Sequence, residues 1–219
     1  MQSEIPIRCS CGQLQGVVTD ISPSNANHVV CCCVACQKYA HMLERSDEIL
    51  DEHGGTEVFQ ISPRCLTLSS GQEQLACLQI TPKKGALRFY TTCCHTPIAH
   101  TLPSLKMPFL AMNHMCVDHD KLTQPLEASV GPVRATVNKK FPRDMAVRLK
   151  ANGTSLLKMI LHFAPMFFWW LLRGDAKRSP FVEPKTHKPL LIPSQTIDDR
   201  VLPEDTSPAP QGKRLMGCG

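Results

Sequence analysis

Aromatic residues are scarce in this chain, 5% of 219. The few present do not interleave with the basic residues, so the stacking platforms of single-strand nucleic-acid binders are missing. No apolar run reaches the roughly 20 residues a membrane crossing needs. The longest unbroken one, residues 159–172, contains His162. The opening MQSEIPIRCSC has no apolar core of a secretory signal. No internal repeat is visible. An excess of one charge is lacking too: 24 basic against 19 acidic residues leave a net +5. These absences exclude a dedicated nucleic-acid binder and a spanning membrane protein, and they lead us to expect a chain that is not exported.

The small positive excess is local. Residues 1–138 carry 10 basic and 12 acidic groups, residues 139–178 carry 9 and 2, and residues 179–219 carry 5 and 5. This predicts three parts: a domain over 1–138, a basic and apolar helical segment over 139–178, and a proline-rich extended tail over 179–219.

What the chain has in quantity is cysteine, twelve in all. Four fall within six residues, at Cys31, Cys32, Cys33 and Cys36. Such crowding suits loop-closing disulfides poorly. In a reducing cytoplasmic compartment, clustered thiols mark a metal or redox site. The groups are Cys9-Ser10-Cys11-Gly12, the 31–36 run, and Cys93-Cys94-His95. Zinc takes four tetrahedral ligands and accepts thiolate readily. A Cys-x-Cys turn can aim two sulfurs at one ion, and Cys31, Cys33 and Cys36 can present three. Three protein ligands leave one position open, the pattern of a catalytic rather than a structural zinc. Cys33-x-x-Cys36 also has redox spacing, but no thioredoxin-like βαβ pattern surrounds it. Isolated Cys65, Cys77, Cys116 and Cys218 are read as small buried hydrophobes.

Short β-prone runs at residues 17–19, 29–30, 58–61, 65–68, 75–80 and 87–90 alternate with turn signals such as Ser62-Pro63 and Ser70-Gly71. The close spacing predicts a mainly β, antiparallel domain. One short helix is expected over 46–52, capped by Ser46 and ended by Gly54 and Gly55. A second is expected over 156–172, kinked at Pro165.

The three cysteine groups, in this order and spacing, resemble the glutathione-dependent formaldehyde-activating enzyme family, which includes centromere protein V. The resemblance extends to the Cys-x-Cys-x-x-Cys-Gln run over 31–37, to Leu50-Asp51-Glu52-His53-Gly54-Gly55-Thr56, and to Arg88-Phe89-Tyr90 leading into Cys93-Cys94 and Thr96-Pro97-Ile98. It covers residues 5–135 and is similar to an uncharacterised branch of that family. It implies an Mss4-like β-tent fold with two zinc sites. Cys9, Cys11 and cysteines of the third group, Cys93 and Cys94, would hold a structural zinc. Cys31, Cys33 and Cys36 would hold a catalytic one. The implied activity is carbon–sulfur lyase chemistry on adducts of glutathione, or a related small thiol, with aldehydes. A non-catalytic zinc module serving as a protein- or membrane-binding scaffold is the alternative.

One place departs from the family. Its third group usually reads Cys-x-x-Cys-Gly, and alignment on Cys94 puts Thr91 at the first cysteine and His95 at the glycine. The structural site is then rebuilt with Cys93 or has three sulfurs only, with His95 a ligand or a neighbour. Adjacent side chains diverge in an extended strand, which sets Cys93 against Cys94 and turns Cys32 away from Cys31 and Cys33. Lys38, Arg45, Arg64 and the N–H groups near Gly54-Gly55 are candidates for holding glutathione carboxylates.

The 156–172 segment is apolar nearly all round, with Lys158 and His162 its only polar strip, so something must cover it. Docking on the β domain, a homodimer, and contact with a membrane surface through Trp169 and Trp170 remain open.

Overall fold

Residues of alternating polarity build two sheets in the computed structural model, which describes residues 3–81, 85–137, 153–183, 186 and 190–191. The first sheet joins β1 (Ser3–Arg8), β2 (Gln15–Ile21) and β5 (Leu66–Ser70) in the order β1-β2-β5. The second has seven strands: β3 (Asn27–Cys31), β4 (Thr56–Ile61), β6 (Leu75–Gln79), β7 (Leu87–Thr91), β8 (Pro97–His100), β9 (Leu110–Asn113) and β10 (Ala135–Val137). Its order is β10-β3-β4-β9-β8-β7-β6. All pairings are antiparallel except β10 with β3. The fold is thus mainly β, as the turn spacing predicts.

Successive side chains in a strand point to opposite faces, and this separates the cores. Phe59, Phe89, Leu110 and Met112 pack with Ile5, Ile7, Val18 and Leu66 of the first sheet. The other face of the large sheet is covered by helices. Helix α1 (Val34–Met42) and helix α2 (Ser46–Ile49) bury Tyr39, Ala40, Leu43 and Ile49 against Leu78 and Ile80. A short α3 (Leu126–Val130) follows β9. Helix α4 (Gly153–Leu172) lays Met159, Phe163 and Phe167 against Val29, Val58, Phe109 and Ala111.

Several expectations are corrected. The 46–52 helix is the shorter α2; Ser46 is its first helical residue and Arg45 its cap. Leu50 leaves the helix to bridge Thr56. Cys65 closes a 3-10 turn at Pro63–Cys65 rather than starting a strand. Helix α1 was not anticipated. Its buried positions Cys36, Tyr39 and Ala40 do follow helical spacing, but the first was counted as a ligand rather than as an apolar residue. Strands β1, β8, β9 and β10 add to those expected.

Past residue 178 the chain does not leave the body at once. Phe181 is 1% exposed and stacks on Phe89 with ring centroids 3.8 Å apart. Full burial of such a ring contributes roughly 1.5–3 kcal/mol. The rest of the predicted tail, from residue 192, lies outside the described residues, as do residues 139–152 of the basic segment.

Candidate metal centres

Cys9 follows directly on β1. Its carbonyl accepts from Gly12 N–H at 2.8 Å, and its sulfur accepts from Leu14 N–H at 3.2 Å. This tight turn brings Cys11 back to Cys9, with sulfurs 3.5 Å apart. Cys93 and Cys94 occupy the turn from β7 to β8, closed by His95 N–H donating to the Thr91 carbonyl at 2.9 Å. The two turns meet. Cys11 and Cys93 sulfurs are 3.2 Å apart, Cys9 and Cys93 4.0 Å, and Cys93 and Cys94 3.7 Å. Four thiolates on one tetrahedral zinc at about 2.3 Å would lie about 3.8 Å from one another. The observed spread brackets that value, and every described cysteine is free of disulfide.

The structure therefore brings Cys9, Cys11, Cys93 and Cys94 together as a group that could hold a metal ion. The feared divergence of Cys93 and Cys94 does not arise, because they sit in a turn and not in an extended strand. His95 is not in this group; its ring meets Tyr90 edge-on. Its φ of 53° places it in the left-handed region, where glycine is the residue without strain.

Threonine and arginine brace the centre. Thr96 Oγ1 accepts from Ser10 N–H at 3.0 Å and lies 3.2 Å from Cys94 Sγ. Arg45 Nη1 donates to Ser10 Oγ, to Thr96 Oγ1 and to the Cys94 carbonyl, while Nη2 pairs with Glu48 at 2.6 Å. Burial raises the Cys94 thiol, but hydrogen bonds with Thr91 and Thr96 outweigh it and bring the pKa down to about 5.

The second group forms where β3 runs into α1. Cys31 ends the strand, Cys33 caps the helix, and Cys36 lies in its first turn, so one strand-to-helix corner aims three sulfurs inward. Cys33 Sγ accepts from Cys36 N–H at 3.3 Å. The three sulfurs lie within 4.8 Å of one another and could hold a metal ion. Hydrogen bonds with Cys31 and Cys36 lower the Cys33 thiol to about 2 against the cost of burial, whereas hydrogen bonds with Cys31 and Cys33, and then burial, raise Cys36. Cys32 is buried but is not one of the three.

Sequence reasoning missed the cation at this centre. Arg88 on β7 is 4% exposed and donates through Nη1 and Nη2 to Cys36 Sγ, each at 3.7 Å, with its guanidinium 5.1 Å from the Tyr39 ring centre. A buried charge is costly unless it is paired. Opposite Arg88 in the ladder stands His100 on β8; burial first, and then the Arg88 charge, lower its pKa to about 3, leaving it neutral. Opposite Cys31 stands Thr56, 3% exposed, whose Oγ1 has no hydrogen-bond partner among the described residues. Only cross-strand register assigns these three to the site, so no local pattern could have found them.

Other candidates are placed elsewhere. Arg45 is committed to the four-cysteine centre, and Arg64 pairs with Asp20 at 3.5 Å. The N–H groups of His53 and Gly55 are taken by Asp51 Oδ1, and that of Gly54 by the Asp51 carbonyl; the turn is closed and offers no anion cradle. Cys116, read as a small buried hydrophobe, is fully buried and donates to the Asn113 carbonyl at 3.0 Å. A cavity of about 500 Å³ opens between α4 and the β2–β3 turn, away from both cysteine clusters.

Fold and cysteines together define a mainly β protein with two thiol clusters able to hold metal ions. A family model described as "Family of unknown function (DUF6151)" matches residues 1–191, and the chain belongs to that family. No curated protein matches the chain.

Proposed function

We propose that the chain is a two-zinc protein of the Mss4-like tent type, in which Cys9, Cys11, Cys93 and Cys94 hold a structural zinc. Cys31, Cys33 and Cys36 would hold a second, at a centre suited to carbon–sulfur lyase chemistry on adducts of glutathione, or a related small thiol, with aldehydes. The observation that carries this reading is the buried Arg88 aimed at Cys36. A buried guanidinium calls for negative charge beside it, which thiolates on a metal would supply in addition to its contact with the Tyr39 ring.

The donor sets fit zinc: soft thiolates, four in the first group and three in the second. When bound, zinc would favour the thiolate form of an incoming thiol. The chain's own groups supply the rest. Arg88 offsets the negative charge that three thiolates accumulate. Thr56 Oγ1 offers an unspent hydroxyl beside Cys31, able to donate to an oxygen of the adduct. Neutral His100 shares the sheet face of Arg88 and adds no second positive charge.

The rival reading is a non-catalytic zinc module that docks other molecules. One observation favours it, the apolar outer face of α4. Zinc content per chain, measured on protein purified under reducing conditions, comes first: about two ions in the wild type, falling to about one in Cys33→Ser. Cobalt-substituted protein is then titrated with glutathione. A rise in sulfur-to-cobalt charge-transfer absorption, absent in Cys33→Ser, supports thiol entry. Two metals with no response to glutathione or its formaldehyde adduct would favour the scaffold. No metal, with disulfides within residues 31–36, would overturn both readings.

A further inference from the structure

Helix α4 is apolar on two sides, and the β domain covers only one. Met166 and Trp170 are 8% and 3% exposed, and His162 Nε2 bonds the Ala26 carbonyl at 2.9 Å, so this side faces inward. On the other side Leu157, Ile160, Leu161, Phe168, Leu171 and Leu172 are 41–65% exposed. At about 100° per residue these six fall on one arc of about 120°. Seven of the nine large hydrophobics exposed among the described residues belong to this helix, Trp169 at 57% being the seventh. That concentration makes it one patch and not scattered surface residues.

The charge around the patch selects its occupant. The helix contains no acidic residue, and Lys158, Arg173, Lys177 and Arg178 are exposed along it and just beyond. Over residues 139–178 the balance is nine basic to two acidic, while the other residues carry 15 and 17. We infer that α4 is an in-plane anchor that lays its outer face into an anionic phospholipid surface. Trp169 lies about 60° beyond the edge of the arc, on the Lys158 side, its ring 6.0 Å from the Arg173 guanidinium, where an aromatic at headgroup level belongs. A second copy of the chain fits less well, because a symmetric pairing of this face would bring two basic margins together. The helix does not cross: no described helix is long and apolar enough to do so. It lies flat along its length of about 30 Å. The inference stands whether or not the cysteine centres are catalytic.

The test is sedimentation of the full chain with vesicles of phosphatidylcholine, alone or mixed with phosphatidylserine, at low and high salt. The chain has two tryptophans, Trp170 buried and Trp169 exposed, so the emission that Trp169→Phe removes reports Trp169. We expect co-sedimentation with the anionic vesicles, a blue shift lost in Trp169→Phe, and weakening with salt. The triple variant Leu161→Glu/Phe168→Glu/Leu172→Glu touches only exposed positions. It should lower partitioning by about tenfold or more with circular dichroism and metal content unchanged. Wild type that stays in the supernatant with anionic vesicles overturns the inference. So does partitioning that the triple variant leaves intact. Sedimentation velocity covers the other occupant: a wild-type dimer that the triple variant abolishes, with no vesicle binding, assigns the face to a second copy.

Discussion

Arg88 aims both terminal nitrogens at Cys36 Sγ, each 3.7 Å away, from a position almost closed to solvent. Arg88→Met removes the charge and keeps the stem. Hydrogen bonds to charged groups contribute about 1.5–3 kcal/mol, so zinc affinity at the three-cysteine centre should fall about tenfold to a hundredfold. The four-cysteine centre should not change. Chelator competition resolves the two, and equal affinity in the variant would mean the arginine answers no thiolate charge.

Cys93 is the residue that completes the four-sulfur group. Cys93→Ala should release one metal and lower the melting temperature, and chelator should then lower the variant's melting temperature less than it lowers that of the wild type. Cys77→Ala is the contrast. Cys77 is buried in the core and outside both groups, so its loss should cost about 1 kcal/mol and leave metal content intact.

Arg45 ties the first cysteine turn to the second through Ser10, Thr96 and the Cys94 carbonyl. Arg45→Ala leaves that carbonyl short of a donor and should destabilise the fold by roughly 1–3 kcal/mol. Metal loss from the four-cysteine centre on dilution into chelator should quicken. A glutathione-binding arginine would instead show normal stability and weaker thiol binding.

His28 is fully buried with Nδ1 2.8 Å from the Gly131 carbonyl and Nε2 2.7 Å from Glu57 Oε1, two acceptors that suit the imidazolium. Burial alone would lower its pKa, but Glu57 and Gly131 outweigh it, and the net shift is upward. Stabilisation from His28 is therefore complete below the unfolded value of about 6.5 and is lost as pH rises through the folded one. Glu57 is held down by His28, so its share is present above about 4.3 and lost as pH falls. Glu57→Gln should cost about 1.5 kcal/mol near pH 6, at the low end because Glu57 is 38% exposed. It should also flatten the decline of wild-type stability as pH rises above about 6.5, measured by urea unfolding.

Phe181 stacks on Phe89 inside the main core. Phe181→Ala should cost about 3–5 kcal/mol. A chain ending at residue 178 should be destabilised by a similar amount, which urea unfolding of both would check.

Much of this was legible without coordinates. Cys9, Cys11, Cys93 and Cys94 sit on tight turns, and Cys31, Cys33 and Cys36 span a strand-to-helix corner. Each half-site is thus local in sequence, and local spacing carries local geometry. The β class followed from alternating runs and turn residues for the same reason. Helix α1 escaped because its pattern is written in a cysteine, and Phe181 escaped because it follows a segment whose composition points to solvent.

By itself the sequence determined the thiol clusters, the β character and the confinement of positive charge to one segment, since each depends on residues close together in the chain. Tertiary structure brings Cys9 and Cys11 to Cys93 and Cys94, more than 80 residues away, a meeting that the sequence suggested through its family resemblance and not through any local pattern. Only the tertiary structure decided that Arg88 faces Cys36 and Thr56 faces Cys31, and that α4 keeps one apolar face uncovered. These follow from strand register and sheet order, set by which faces bury together, and no short stretch of sequence contains that information.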